Sequence, residues 1–383
     1  MATIVFIMLP EAGHLNASYK LARALAARGH GVIYSEPPYL AAAVGAQDFE
    51  FVPLLADYFP AGFNAAQAAG VSWFEVLKSV LKLETAADTR KALGILRREL
   101  QALAAHTRPD LLLIDGLLPE LATTAYELRL PCALINTALY DPFDDHGQIE
   151  NAPVFAPVLS KLSALFLCPQ EFDFPRQRGV PHHYYVEASV DLERKEPDFP
   201  WERLDADTRL IYCSLGSQSF LYGDRQRVLR TLIEAVGRRA ECQMVLAAGS
   251  HLGPADFEPL PPNVLVVKSA PQLALLKRAA LMITHGGLNT IKECILLGVP
   301  MIVFPMKRDQ PRNAARVAYH GLGLFGNLQF ITVERATALI EQVERTPAFR
   351  EKVEAMRSVF RAREESGRGV QVVEALLART AVN

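Results

Sequence analysis

Apolar residues in this chain alternate between two patterns. Uninterrupted runs such as IVFIML at 4–9, LLLI at 111–114 and LMI at 281–283 read as strands. Strands buried on both faces of a parallel sheet lose the polar–apolar alternation and become continuous in this way. Between the runs lie stretches whose apolar positions recur three and four apart, the period of a helix with one buried face. In the first half the order is strand 4–9, turn 10–14, a helix over about 16–28 and strand 31–35. Asn16 is placed to cap that helix, Leu21 and Leu25 share a face, and Gly29 ends it. Residues 57–75 are irregular and aromatic, and a helical stretch covers about 72–105. Strand 109–115 ends in a carboxylate. Helix 120–128, strand 132–136, a loop over 140–155 and short strands at 165–168 and 184–186 complete the half.

A charged, Pro-bearing run, DLERKEPDFP at 191–200, interrupts the alternation and suits a linker. The pattern then restarts with strand 210–213, helix 225–240, strands 243–247 and 264–267, helix 273–278, strand 281–284 and helix 289–297. Strand 301–304, helix 310–319, a helix near 349–364 and a last helix over 371–379 follow. The expectation is an α/β chain of two doubly wound parallel-sheet halves with a cleft between them. Ligands of such sheets sit beyond the carboxyl ends of the strands.

Length and composition change this picture little. The 383 residues are half hydrophobic, enough for two domains or one large one. A formal charge of −2 gives no basic excess to attract a nucleic-acid backbone over a broad face. The five cysteines are scattered, with no C-x-x-C pair, so neither a zinc site nor a disulfide framework is suggested. The first apolar run is too short for a signal peptide and no run approaches a membrane span, so a cytoplasmic protein is expected. Peripheral membrane contact stays open, as does the oligomeric state.

Candidate chemistry gathers at strand ends. His285-Gly286-Gly287 follows strand 281–284 and precedes a helix, where converging N–H groups and the helix dipole favour an anion. Asn289 and Thr290 can add donors. Glu293, one turn on, suits the two hydroxyls of a vicinal diol. Equally, Thr290 and Glu293 match a capping box and Asn289 a simple N-cap. Asp309-Gln310 could grip sugar hydroxyls or merely cap a helix. Ser214-Leu215-Gly216-Ser217 is either an ordinary turn or a phosphate contact. In the first half, Gly13-His14 lies on the loop after strand one, ahead of a helix N-terminus, which disfavours imidazolium and suits a general base. Asp115 could hold its tautomer or cap the next helix. No nucleophile motif, dinucleotide fingerprint, Walker loop or metal-ligand spacing is present.

Taken as an ordered set, Ser269-Ala270-Pro271-Gln272, THGGLNTIKE, GVPMIVFP and Asp309-Gln310-Pro311-Arg312-Asn313-Ala314 resemble the nucleotide-sugar signature of the family 1 glycosyltransferases. The Gly13-His14 loop followed by LARALAARGH resembles that family's acceptor domain. The phrasing is similar to bacterial natural-product and carotenoid enzymes. The resemblance implies a GT-B fold, with an acceptor domain over 1–195, a nucleotide-sugar domain over 196–365, and a helix over 366–383 crossing back to the first. It implies inverting transfer from a UDP-sugar co-substrate to an acceptor hydroxyl, with no metal or other cofactor; an aromatic acceptor wall suggests that the acceptor is small and lipophilic. His14 would be the base and Asp115 its support. His285, Ser217, Asn289 and Thr290 would hold the diphosphate, Gly13, Gly216, Gly287 and Leu288 would belong to the donor site, and Glu293 would bind ribose. Gln272 and the backbone of Ala270 would face the base, and Asp309 and Gln310 the sugar, which favours glucose. Ser269 stands where many relatives carry a Trp that stacks on the base, which leaves thymidine beside uridine as the nucleoside, and Leu288 stands where plant members carry another Trp. Phe59, Phe63, Trp73, Phe74 and Tyr140 are candidate acceptor walls. The rival readings are a non-catalytic nucleotide-sugar-binding protein on the same fold, a dTDP-sugar enzyme and a Rossmann dehydrogenase.

Overall fold

Seven strands form the first sheet: β1 (Thr3–Ile7), β2 (Gly31–Glu36), β3 (Glu50–Pro53), β4 (Leu111–Asp115), β5 (Cys132–Asn136), β6 (Ala164–Phe166) and β7 (His183–Tyr185). Six form the second: β8 (Arg209–Ser214), β9 (Cys242–Ala247), β10 (Val264–Val267), β11 (Ala279–Thr284), β12 (Met301–Val303) and β13 (Gly323–Phe325). The computed structural model describes residues 1–63, 73–80, 86–139, 152–175, 182–216, 223–249 and 251–380.

Every pairing in both sheets is parallel. The strand orders are β3-β2-β1-β4-β5-β6-β7 and β10-β9-β8-β11-β12-β13. Each order reverses once, at β1/β4 in the first sheet and at β8/β11 in the second. Crossovers on either side of such a point leave the sheet on opposite faces, so loops diverge there and open a crevice.

The chain forms two compact units. One comprises Met1–Gln170, Pro175–Asp191 and Arg363–Asn383; the other comprises Glu171–Phe174 and Leu192–Ala362. In the first unit, Ile4, Phe6, Val32, Tyr34, Leu111, Leu113, Ala133 and Ile135 point from one sheet face onto Leu21, Ala22 and Leu25 of helix Ala12–Ala27. The helix Arg368–Thr380 adds Val373 and Leu376 to the same core. In the second unit, β8, β9 and β11 bury Ile211, Met244 and Ile283 against Leu229, Leu232 and Val236 of helix Arg225–Gly237.

Several elements differ from the sequence expectation. The first helix begins at Ala12 rather than near residue 16, with Glu11 in the N-cap position, so Asn16 lies in its interior and caps nothing. Gly13 disfavours helix, but Glu11 O accepts from His14 N and Leu15 N, which starts the helix ahead of Asn16. His14 therefore stands in the first helical turn, not on a loop. The expected loop over 140–155 gives way at Ala152 to helix Ala152–Leu159, while 140–151 lie outside the described residues. Helices Trp73–Val80 and Ala86–Thr107 lie in the stretch expected to be helical, with 81–85 outside the described residues. The short strands β3 and β13 and helix Val333–Arg345 carry no signal read from the sequence. β3 is partly exposed, and β13 opens with Gly323, where a Cβ would lie 1.8 Å from Met301 O of the neighbouring strand. Close backbone approach leaves that strand little side-chain pattern to read.

Candidate active site

At β1/β4, continuous apolar strands end in polar residues on one face. Along β4, Leu111 and Leu113 enter the core and Asp115 is the next residue on their side; along β5 the same progression is Ala133, Ile135 and then Thr137. Asp115 Oδ2 lies 2.7 Å from His14 Nδ1. Thr137 Oγ1 lies 2.7 Å from the same nitrogen. The Asp115 side chain is 1% exposed and that of His14 13%. A carboxylate only accepts, so the Nδ1 proton is donated to it and the lone pair falls on Nε2. The Asp115 carboxylate also accepts from Leu9 N at 3.3 Å and from Leu117 N at 3.0 Å. Those bonds brace its own turn. The following helix, Pro119–Glu127, has Leu118 at its N-cap and no side-chain cap, so Asp115 is not capping it. Gly13 is exposed, and a Cβ there would meet nothing within 4 Å.

At β8/β11, Ser214 pairs with Thr284, which sets the turn after β8 beside the turn after β11. Gly216 and Gly286 adopt φ of +84° and +88°, a left-handed backbone that L side chains rarely enter. A Cβ at Gly216 would lie 2.6 Å from His285 Cε1, and one at Gly287 would lie 2.8 Å from His285 Nε2. The imidazole thus occupies a slot defined by two missing side chains. Burial lowers its pKa to about 4, so the ring is neutral near pH 7 and offers an N–H rather than a cation.

The helix Leu288–Leu297 has Gly287 at its N-cap and no side-chain cap. That removes the capping-box reading of Thr290 and Glu293, and Asn289 is not the cap either. Asn289 Oδ1 is buried and has no hydrogen-bond partner among the described residues. Leu288 is 4% exposed, so only its backbone can serve a ligand. Glu293 is also buried, and both carboxylate oxygens have partners: Arg194 donates to one and Gln272 Nε2 to the other, each at 2.5 Å. Gln272 Nε2 also reaches Thr290 Oγ1 at 3.3 Å. Ala270 precedes this cluster on the loop after β10 and is half-buried. Arg194 and Glu196, read as linker, belong here instead. Glu196 accepts from Leu273 N and Ala274 N, and Arg194 bridges it to Glu293. Their charged run resembles a solvated segment, and only the fold returns it to the sheet.

Asp309 occupies an N-cap position without capping its helix; its carboxylate accepts from Asn313 Nδ2 at 2.8 Å. Asn313 Nδ2 also donates to Gly286 O at 3.0 Å, tying the 309–313 turn to the His285 turn. Gln310 is buried, and its side-chain oxygen holds the amides of Met306 and Lys307. It offers a ligand its amide group rather than that oxygen. Ser217 lies outside the described residues, as do Tyr140 and the side chains of Trp73 and Phe74. Phe59 is 1% exposed and packs edge-on against Phe63. It is core rather than acceptor wall.

A model of the family described as UDP-glucoronosyl and UDP-glucosyl transferase matches residues 77–366. The demethyllactenocin mycarosyltransferase of Streptomyces fradiae is 27% identical over an alignment covering 100% of this chain and 88% of that protein. The zeaxanthin glucosyltransferase of Pseudescherichia vulneris is 26% identical, covering 84% of this chain and 86% of its own. The crystal structure of the kitacinnamycin glycotransferase superposes with a TM-score of 0.77 at 26% identity, covering 98% of this chain and 99% of that one. The two parallel-sheet, Rossmann-like units are those of GT-B glycosyltransferases. The chain belongs to the UDP-glucoronosyl and UDP-glucosyl transferase family, and is a glycosyltransferase.

Proposed function

We propose that this chain is an inverting, metal-independent O-glycosyltransferase that moves a hexose, glucose first, from a UDP-sugar to a hydroxyl of a small lipophilic natural product. The observation that carries the reading is the 2.7 Å contact between His14 Nδ1 and the buried Asp115 carboxylate, which leaves the lone pair on Nε2. Nε2 takes the proton of the acceptor hydroxyl as its oxygen attacks the anomeric carbon, opposite the leaving diphosphate. The new C–O bond forms as the bond to the nucleoside diphosphate breaks, and the leaving group departs with the electron pair. The proton stays on His14, where Asp115 stabilises the imidazolium.

Charge developing on the leaving group falls at the N-terminus of helix Leu288–Leu297, where the side-chain cap is absent and His285 lies against Gly287, the N-cap residue. Gly216 and Gly287 belong to the same cradle; for Ser217, outside the described residues, a diphosphate contact is what the resemblance implies. Asn289 Oδ1, without a partner among the described residues, can accept from a ligand hydroxyl. Glu293 serves the ribose hydroxyls, with Arg194 and Gln272 holding its carboxylate in place. Ala270 and Gln272 face the base, and Asp309 and Gln310 the sugar. The names of two relatives support natural-product acceptors, one a mycarosyltransferase and the other a glucosyltransferase of zeaxanthin.

Thermal shift against UDP, dTDP and NAD is the first test, followed by mass spectrometry of a panel of lipophilic alcohols and phenols with UDP-glucose, with and without EDTA. The expected outcome is the largest stabilisation by UDP and a hexosylated product that EDTA does not suppress. NMR of the product should show the anomeric configuration opposite to the donor's. Retention of configuration defeats the inverting mechanism, and stabilisation by dTDP alone moves the donor to a thymidine sugar.

A further inference from the structure

We propose that Glu36 is a positioning residue for this reaction: its carboxyl and that of Asp115 together clamp the backbone leading from β1 into the helix that carries His14. The inference rests on the reading of His14 as the base. β1 lies between β2 and β4. Phe6 pairs with Tyr34 on one side and Ile7 with Ile114 on the other. One step past the strand, Met8 sits between Glu36 at the end of β2 and Asp115 at the end of β4. Their carboxyls divide two consecutive amides. Met8 N donates to Glu36 Oε1 at 2.6 Å, and Leu9 N donates to Asp115 Oδ2 at 3.3 Å. Leu9 O then accepts from Glu11 N at 2.6 Å, and Glu11 O accepts from His14 N at 3.0 Å. An unbroken series of contacts runs from Glu36 to the His14 backbone, while Asp115 Oδ2 holds the His14 ring.

The charge state of Glu36 sharpens the role. The residue is 1% exposed. Burial pushes its carboxyl well above the carboxylate range, Asp115 adds to that, and the Met8 N–H opposes it. The titratable groups facing it are Asp115 from β4, Tyr19 from helix Ala12–Ala27, Tyr34 from its own strand and Tyr39 just beyond it, with His14 on the far side of Asp115. Of these, only His14 carries positive charge when protonated. A neutral Glu36 leaves one anion beside the base. A second anion would stabilise the imidazolium before the acceptor arrives and blunt proton abstraction.

The test compares E36Q, which keeps an acceptor for Met8 N without charge, with E36M, which keeps the length and loses the acceptor. Rates are read with UDP-glucose and whichever alcohol of the panel turns over fastest, across pH. E36Q should hold kcat within about twofold, and the acid limb of its kcat/KM profile should superpose on the wild type. E36M should lose kcat at least about tenfold, with donor KM and the UDP thermal shift unchanged, because a base displaced by a fraction of an ångström loses its alignment. Wild-type kcat in E36M overturns the proposal. So does an E36Q as slow as E36M, or an E36Q acid limb shifted to lower pH, which would mean that Glu36 is ionised in the native enzyme. Where E36M does not fold, the E36Q profile alone decides by the same criterion. H14A is the control for the underlying reading. Turnover surviving H14A defeats His14 as base whatever Glu36 does, whereas a dead H14A beside a fully active E36M defeats only the role of Glu36.

Discussion

His14 and Asp115 are separated by 101 residues in sequence and by 2.7 Å in space. Replacing His14 with Ala should lower kcat by about 10³-fold while leaving UDP binding intact, since a lost general base removes transition-state proton transfer but no donor contact. Replacing Asp115 with Asn exchanges one acceptor oxygen for an NH2 donor, which favours the wrong imidazole tautomer, and a loss of about 10²–10⁴-fold in kcat is expected with little change in donor KM. Steady-state kinetics with UDP titrated by calorimetry checks both. At His285 the effect is on stability. Its pKa in the fold, about 4, lies below the usual 6.5 because the ring is buried. The unfolded chain therefore takes up this proton first as pH falls. Above about pH 6.5 the group contributes no pH dependence, and between about 6.5 and 4 stability declines by at most about 3 kcal/mol. Denaturant unfolding of wild type and H285Q between pH 7 and 4.5 should show the steeper acid loss in the wild type. Equal slopes would mean that the ring is more hydrated than its slot implies.

The element scale explains which of these residues were legible. Strand–turn–helix units with glycine in the turn are local, so the His285-Gly286-Gly287 turn and helix Leu288–Leu297 read directly from the sequence. Capping is local too, yet the sequence could not decide it: Thr290 and Glu293 have the spacing of a capping box, but the helix starts at Leu288 and leaves both inside its first turns. Glu36 and Thr137 share a signal that could have been found. Each follows two core residues at alternate positions on a strand and ends that row with a polar side chain, as Asp115 does. Only register shows that the rows are adjacent. The glycine slot makes its own prediction. G216A forces a Cβ into the His285 ring at φ +84°. The strained backbone should cost about 1–3 kcal/mol in thermal or denaturant unfolding, and UDP affinity should fall with the displaced ring. G13A meets no atom within 4 Å and should leave stability within about 1 kcal/mol.

At the scale of the whole chain, residues 363–383 belong with the first unit although they follow the second in sequence. Val373 is fully buried in the first unit's core. V373D should therefore lower the melting temperature of the first unit through an unpaired buried charge, while UDP binding, which the proposed function assigns to the second unit, persists. A loss of UDP binding equal to the loss of acceptor-side activity would contradict that division. Periodicity was enough for two parallel-sheet halves and their strand-end turns, because buried strands and amphipathic helices are set by neighbours within a few residues; the ordered donor motif was legible only through its resemblance to a known family. Strand order, the reversal points at β1/β4 and β8/β11, and the return of Arg194 to Glu293 were decided by tertiary structure. So were the convergence of Asp115 and Thr137 on His14 and the placing of Glu36 and Asp115 on the Met8 and Leu9 amides. These contacts join residues far apart in the chain, and what selects them is the shared burial of whole faces, which no local pattern of residues encodes.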